Sequence, residues 1–182
     1  ETDALLREPG FFDFVVLGAP AAADWKVTGG RNPPSPPNMV SQIVASRPED
    51  SIAVALRREA TFRDGRLSLA LQKGFGRGGI VFRMAGPKIF CVLLVHLRTG
   101  DARLIAYDGG PPAELARGKA KLPNPWGVLS IAATGGKIVA LWDGTPLLEA
   151  IDPHPQAGQA GMATAGPGRV SFDEFVLQFS DE

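Results

Sequence analysis

Three short acidic clusters hold the residues that could work as a catalytic pair in this chain of 182 residues. The clusters are PEDS at 48–51, DPH at 152–154 and FDEF at 172–175. Retaining glycoside hydrolysis needs two carboxylates that face one cleft about 5 Å apart. The first two clusters have the composition of turns, and Asp173 and Glu174 are strand neighbours that point to opposite faces. The residues therefore predict no acid pair, and we expect no catalytic residue.

The two histidines and the single cysteine do not form a nucleophile and base or a zinc set. His96 lies in the apolar run LLVHLR, where a lone histidine is more often a packed residue than a base. His154 lies in the turn DPHP, and Cys91 among apolar residues is expected to be an inert buried thiol. We expect no cofactor, and calcium held by loop carboxylates such as Asp101 or Asp108 is the one alternative left open.

The charge balance and the apolar runs argue against two classes of partner. The chain has 19 basic and 19 acidic residues, which argues against nucleic-acid binding. Its longest apolar run, 89–95, is far shorter than the roughly 20 residues that span a bilayer. The chain starts at Glu1 instead of methionine, so we expect an extracytoplasmic (periplasmic or secreted) protein after removal of a targeting segment.

Short apolar segments separated by glycine and proline dominate the chain, which has 22 glycines and 16 prolines. Such a pattern indicates strands and little helix. The predicted strands are 11–16, 25–27, 39–45, 52–56, 66–72, 78–84, 89–97, 102–108, 127–134, 137–142 and 169–179. Segments 78–84 and 89–97 are apolar on both faces, as in central strands. We predict one domain over 1–182, with its core at about 11–179, that forms a two-sheet antiparallel jelly-roll sandwich. A closed barrel is the alternative.

Turn chemistry explains several acidic residues near strand ends. Asp143-Gly144 lies between two predicted strands, and Asp-Gly is a preferred pair for a two-residue hairpin that needs positive φ. Asp64-Gly65 in RDGR is interpreted in the same way. Trp142 alternates in phase with the apolar residues of its strand and is expected to point inward or to lie on the rim.

The last predicted strand contains an irregularity. Its apolar residues change phase after Phe172, and a β-bulge at Asp173-Glu174 would restore the register. The segment FDEF at 172–175 also matches FFDF at 11–14. We therefore expect the first and last strands to be neighbours in one sheet.

Five segments together carry a resemblance to a known family. They are FRDGRLSLAL, GRGGIVFRM, FCVLLV, NPWGVLSIAATGGKIVALWDGTPLLE and AGMATAGPGRVSFDEFVL. In this order they resemble the concanavalin A-like (laminin-G-like) jelly-roll domains, and most of all the bacterial group of 3-keto-disaccharide hydrolases and uncharacterised exported proteins. The resemblance covers about Phe11 to Phe179 and implies the jelly-roll fold. The strand motif Glu-x-Asp-x-x-Glu of laminarinase-like members is not found, so the resemblance implies no catalytic residues.

Polar and aromatic residues on otherwise apolar strands are the candidates for binding. Arg83, His96, Arg98 and Tyr107 could line one concave sheet face if their strands are neighbours, and Trp126 is the aromatic residue expected to be exposed. Such side chains bind sugars by hydrogen bonds and stacking, or anchor a protein surface. The structural alternative is that Arg83 pairs with a carboxylate and Tyr107 caps the core.

The segment GGRNPPSPPN at 29–38 predicts a stiff surface loop that could contact a partner. Its candidate contact residues are Asn32, Pro33, Pro34, Pro36 and Pro37. This loop and the missing acid pair favour a non-catalytic accessory or structural subunit that binds a protein partner in an envelope-associated assembly. The alternative, implied by the resemblance, is a domain that binds carbohydrate or hydrolyses 3-keto-glycosides.

Overall fold

The computed structural model describes residues 11–29, 32–36, 38–122 and 125–179, with Asn38 described by its backbone alone. These residues contain no helix and form fourteen strands in two seven-stranded antiparallel sheets. The all-β class and the two-sheet sandwich are confirmed. The closed-barrel alternative is wrong, because both sheets end in edge strands. No helix in the described part of the chain is long and apolar enough to cross a bilayer.

The strands are numbered in chain order, which differs from their order across the sheets. From edge to edge, sheet A consists of β1 (Phe12–Gly18), β4 (Ser51–Arg57), β13 (Gln159–Ala165), β6 (Arg77–Gly86), β7 (Ile89–His96), β8 (Asp101–Asp108) and β9 (Ala113–Lys119). Sheet B consists of β12 (Thr145–Ile151), β11 (Lys137–Trp142), β10 (Trp126–Thr134), β5 (Gly65–Gln72), β14 (Val170–Phe179), β3 (Asn38–Gln42) and β2 (Trp25–Gly29).

Sheet A buries apolar side chains on both of its faces. Phe82 and Leu93 point between the sheets and belong to the main core. Val81 and Val92, one residue away on the same strands, belong to a second apolar cluster on the outer face. Strand side chains alternate between faces, so a strand buried on both sides has a continuous apolar run. The interpretation of 78–84 and 89–97 as central strands is therefore confirmed.

Strands β9 and β13 were not predicted from the sequence, and β12 was implied only by the hairpin at Asp143-Gly144. Strand β13 has the sequence QAGMATA, whose small residues give neither a clear alternation nor strong β propensity. Its position in the sheet explains this composition, because a Cβ at Gly161 would lie 1.9 Å from the carbonyl oxygen of Ala55 on β4. Strand β9 (AELARGK) is a charged edge strand with little apolar pattern.

The two Asp-Gly turns have different structures. Asp143 and Gly144 both have positive φ (48° and 77°) and join β11 to β12, so this hairpin is confirmed. Trp142 points into the core, as predicted. The hairpin interpretation of Asp64-Gly65 is wrong, because β4 and β5 belong to different sheets. Asp64 instead accepts a hydrogen bond from the backbone N–H of Gly135 at 2.8 Å.

The last strand contains the predicted bulge. The register of β14 against β5 shifts between Asp173 and Val176, and Glu174 has a φ of 49°. The expected pairing of first and last strands is wrong, because β1 is an edge of sheet A and β14 lies inside sheet B. The aromatic residues of these strands meet across the sandwich instead, with the ring centroids of Phe12 and Phe175 6.4 Å apart.

Candidate functional site

The face of sheet A that points away from sheet B is concave. Its apolar cluster includes Leu17, Ile52, Phe90 and Leu94. Leu17 of β1 and Tyr107 of β8 line one depression, although β4, β13, β6 and β7 lie between their strands. In a flat sheet, five strand spacings would separate the two strands by roughly 24 Å. The sheet must therefore curve strongly to bring both side chains to the same depression.

Two depressions lie next to each other on this concave face. The larger one has a volume of about 600 Å³ and is bounded by Pro87 and Lys88 of the β6–β7 turn. The smaller one, of about 230 Å³, lies toward the end of β7 and the start of β8. Asp50, Ile52 and Tyr107 line both depressions. These three residues therefore mark the centre of one continuous groove.

An aromatic pair forms one wall of the groove. Phe90 and Tyr107 are cross-strand neighbours on β7 and β8, and their rings stack with centroids 4.2 Å apart and an interplanar angle of 14°. Partial burial, together with the negative charge of Asp50, raises the pKa of Tyr107 above its usual value. The Tyr107 hydroxyl is thus neutral at physiological pH and can donate a hydrogen bond to a ligand oxygen.

Charged side chains line the smaller depression, and most of them are paired. Arg77 Nη1 lies 2.7 Å from Glu49 Oε2, and Arg103 forms an ion pair with Glu114 at 2.5 Å. Asp101 accepts hydrogen bonds from Lys119 and Thr99, which lower the pKa of its carboxyl group. These hydrogen bonds favour the ionised form of the carboxylate.

Two polar groups in the smaller depression have capacity left for a ligand. No described residue donates a hydrogen bond to the Asp50 carboxylate or forms an ion pair with it. His96 uses Nδ1 to accept a hydrogen bond from the backbone N–H of Arg98 at 3.3 Å, which leaves Nε2 for other contacts. The groove therefore combines an aromatic wall, a free carboxylate and an imidazole.

Arg83 lies between the sheets and does not line the groove. Its side chain is 1% exposed and donates hydrogen bonds to Asp152 and Asp64 and to the carbonyl oxygens of Arg63 and Gly135. Regular alternation would place Arg83 beside Val81 on the outer face, but β6 is bulged here. Arg83 has a φ of 53°, and the register against β7 shifts after Phe82. Arg83 is thus paired with a carboxylate, which was the alternative to a role in ligand binding.

Cys91 lies beside this buried cluster. Its Sγ is 3.7 Å from Asp152 Oδ2. Desolvation and the Asp152 charge raise the pKa of the thiol to about 12. A thiol with so high a pKa is a poor nucleophile at neutral pH, which agrees with its interpretation as an inert buried residue.

Arg98 and Trp126 lie outside the groove. Arg98 is exposed at the turn after β7, and its guanidinium carbon lies 5.7 Å from the ring centroid of Phe75. Trp126, at the start of β10, is only half exposed, and its Nε1 is buried without a hydrogen-bond partner in the described residues. Of the five predicted binding residues, the structure therefore brings His96 and Tyr107 to one face and separates the other three from it.

The proline-rich loop packs on the bulge of β14. The backbone N–H of Ser35 donates to Asp173 at 2.6 Å, and its hydroxyl donates to Glu174 at 3.1 Å. Asn32 has a φ of 49°. Pro33 is buried, whereas Asn32, Pro34 and Pro36 are exposed. Pro37 lies outside the described residues.

The sequence did not reveal Asp50 and Phe90 as groove residues. Asp50 belongs to PEDS, which has the composition of a turn, and it does lie in a turn before β4. Phe90 lies in an apolar run whose two faces cannot be told apart without the sheet order. One signal was available in the sequence. Phe90, near the start of one predicted strand, and Tyr107, near the end of the next, are both aromatic.

Solved structures share this architecture, whereas no protein-family model and no curated protein matches the chain. The carbohydrate-binding module CBM66 from Bacillus subtilis is similar over 83% of this chain and 92% of its own, with a TM-score of 0.61 and 16% identity. A protein of unknown function with a galectin-like fold, also from Bacillus subtilis, is similar over 90% of this chain and 87% of its own (TM-score 0.59, 16% identity).

A tetrameric galectin from the ball sponge Cinachyrella sp. is also similar, over 65% of this chain and 94% of its own (TM-score 0.55, 12% identity). At these identities the likeness shows the fold alone. The concanavalin A-like jelly-roll fold implied by the sequence motifs is thereby confirmed.

Proposed function

We propose that the protein binds a carbohydrate in the concave groove of sheet A, and that it does so outside the cytoplasm. The observation that carries the proposal is the position of Asp50 and Tyr107 at the junction of two continuous depressions. A carboxylate without a partner among the described residues can accept hydrogen bonds from sugar hydroxyl groups, and an aromatic side chain packs against the apolar face of a sugar ring. The groove offers both contacts within one concave surface.

The comparisons support this function better than the protein-binding accessory role favoured from the sequence. A carbohydrate-binding module and a galectin share the fold, and fold similarity raises the prior for sugar binding without identifying a site. The evidence for a binding site is the groove itself, with Asp50 and Tyr107 at its centre. Nothing in the described residues supports a protein partner at the proline-rich loop, where Ser35 is hydrogen-bonded to β14.

The test is direct binding of a panel of oligosaccharides, measured by calorimetry and by the shift of the melting temperature. We expect at least one glycan to bind, and Asp50→Ala to weaken it by about ten-fold or more, because hydrogen bonds to a charged acceptor are the stronger ones. Tyr107→Ala should weaken it by a similar factor, whereas Tyr107→Phe should lose only the contribution of the hydroxyl group.

Matched controls come from the opposite, sheet B side of the molecule. Glu149 is an exposed carboxylate on β12, and Phe179 is an exposed aromatic residue at the end of β14. Glu149→Ala and Phe179→Ala should leave glycan affinity unchanged. Binding that is lost equally in the control variants, or absent across a broad panel, would overturn the proposal.

A hydrolytic role at the same groove is tested by the same set of variants. Incubation with a 3-keto-glycoside should give stable binding without product if the site only recognises sugar. Product formation that disappears in Asp50→Ala would replace the binding proposal with a catalytic one, because it would show that this carboxylate takes part in bond cleavage.

A further inference from the structure

An exposed phenylalanine lies at the end of the sandwich where β5, β7 and β14 meet their loops. Phe75, in the loop between β5 and β6, has 77% of its surface exposed, the largest fraction among the exposed large apolar side chains of the described residues. An exposed single apolar residue needs no explanation by itself. Phe75 differs because its backbone is hydrogen-bonded to a neighbouring loop and because an arginine packs over its ring.

The loop that carries Phe75 is fixed by its neighbours. The backbone N–H of Gly74 donates to the carbonyl oxygen of Leu97 at 3.2 Å, and that of Leu97 donates to Gly76 at 2.9 Å. A Cβ at Gly76 would lie 2.7 Å from Val170 Cγ2, so the loop packs directly on β14. Phe75 therefore projects from a loop that is already held in place. A partner that covers Phe75 does not have to order the backbone of this loop.

Four exposed cationic residues lie on the loops at this end of the sandwich, and none has a carboxylate partner in the described part of the chain. Arg98 packs over the Phe75 ring. Lys73 Nζ donates to the carbonyl oxygen of Leu122, the residue after Lys121. A Cβ at Gly76, the residue after Phe75, would lie 3.2 Å from the carbonyl oxygen of Arg169. All four cationic side chains are exposed. We call Phe75, Lys73, Arg98, Lys121 and Arg169 the Phe75 tip.

Three of the acidic residues at this end of the sandwich are engaged elsewhere, and the carboxylate of Asp50 lies in the groove. Asp101 pairs with Lys119 at 2.9 Å, and Glu49 pairs with Arg77 at 2.7 Å. Asp143 accepts a hydrogen bond from a backbone N–H of β10 at 2.8 Å. The Phe75 tip therefore carries a local excess of positive charge in a chain whose formal net charge is zero.

We propose that the Phe75 tip binds the surface of an anionic lipid bilayer, with Phe75 inserted among the headgroups and the four cations against lipid phosphates. A protruding aromatic residue ringed by lysine and arginine is the combination that interfacial membrane binding uses. A chain-like polyanion would need a groove with several hydrogen-bond donors along it, whereas the tip consists of residues from separate loops beside one highly exposed aromatic ring. Charge and shape together therefore favour the bilayer over a soluble polyanion.

The experiment is co-sedimentation of the whole chain with vesicles of phosphatidylcholine, alone or mixed with an equal amount of phosphatidylglycerol, at low and at high salt. We expect binding only to the anionic vesicles, with weakening at high salt because the lipid charges are screened. Phe75→Ala should lower the partition coefficient roughly ten-fold. Each of Lys73→Gln, Arg98→Gln and Arg169→Gln should lower it about five-fold.

A matched control pair lies at the opposite end of β5. Arg66 is an exposed cation and Phe179 an exposed aromatic residue, and both line one shallow depression there. Arg66→Gln and Phe179→Ala should leave vesicle binding unchanged. Since Phe75 and the four cations are exposed, unchanged melting temperatures will show that the tip variants are folded.

Three results would overturn the proposal. The first is no binding to anionic vesicles, and the second is equal loss in the tip and control variants. The third is binding to a soluble polyanion such as dextran sulfate, lost in the tip variants, with no binding to vesicles. The groove residues Asp50 and Tyr107 are outside the tip, so glycan binding and vesicle binding can fail independently of each other.

Discussion

Two arginines are buried between the sheets near opposite ends of β6, and their charges are satisfied in different ways. Arg83 is 1% exposed and lies 2.8 Å from the carboxylate of Asp152. Arg47 is 5% exposed and, among the described residues, donates only to neutral oxygens of Ser51 and Thr164. Thr164 pairs with Gly78, which lies at the end of β6 away from Arg83. One arginine is thus neutralised by a counter-charge, and the other is solvated by hydroxyl and carbonyl groups.

The difference shows what each arginine contributes to the fold. Arg83 links β6 to Asp64, to Asp152 and to the β10–β11 turn, and so connects the two sheets at one end. Arg47 connects the loop before β4 to β13, which belongs to the same sheet as β4. Desolvation without a compensating carboxylate lowers the pKa of Arg47. Removal of the two charges should therefore have unequal costs.

The largest expected effect is that of Arg83→Met. The substitution keeps most of the side-chain volume but leaves the Asp152 carboxylate buried without its partner, and such a loss costs about 3–5 kcal/mol. Urea-induced unfolding measures it. Adding Asp152→Asn, which keeps an acceptor for the backbone N–H of His154, should recover part of the loss. A double variant no more stable than Arg83→Met would mean that the buried charge of Asp152 is not the cause.

Arg47→Met should have a smaller effect, about 1–2 kcal/mol. The variant loses hydrogen bonds to neutral oxygens, but it also removes a desolvated charge, and these two changes oppose each other. Thr164→Val, which keeps the charge and removes an acceptor, is the matched comparison and should cost at least as much. If Arg47→Met lowered the free energy of unfolding as much as Arg83→Met, the distinction between the two buried arginines would be contradicted.

The contrast between these arginines was not predictable from the sequence, although much of the fold was. The hairpin at Asp143-Gly144 and the bulge at Asp173-Glu174 follow from local turn chemistry and from a phase change within one strand. The bulge that turns Arg83 inward has no such signal, because the residues around it are apolar on both faces. Without a phase change, regular alternation assigns Arg83 to the wrong face.

The groove was predictable in part, for a similar reason. Tyr107 and His96 were identified because polar or aromatic residues interrupt apolar strands, and the structure places both in the groove. Asp50 becomes a groove residue only because sheet A curves until the turn before β4 faces β8. No local pattern in the sequence reports that curvature. Long-range geometry, not residue type, limited the prediction.

The smallest expected effect is that of a substitution at Cys91. This residue lies beside Asp152, so its substitution tests the buried cluster around Arg83 and not the one around Arg47. Cys91→Ala should cost about 1 kcal/mol or less near pH 7, since it leaves only a small cavity. The folded pKa of about 12 exceeds the ordinary thiol value of 9.0, so the neutral thiol stabilises the fold fully below pH 9. This contribution is lost as the pH rises through about 12. The wild-type chain should therefore lose more stability than Cys91→Ala between pH 7 and about pH 10.

Tyr107 is the internal control for that comparison. Its raised pKa also makes the fold less stable at alkaline pH, but Tyr107 is present in both chains, so its effect cancels in the difference of unfolding free energies. The raised thiol pKa follows first from burial and then from the Asp152 charge, while Arg83 opposes it. Up to about pH 10 the folded thiol is neutral with or without Arg83, so the difference between the cysteine and alanine chains should rise by the same amount in the Arg83→Met background. A smaller rise in that background would contradict this, because it would mean that removal of Arg83 lowers the pKa of the folded thiol.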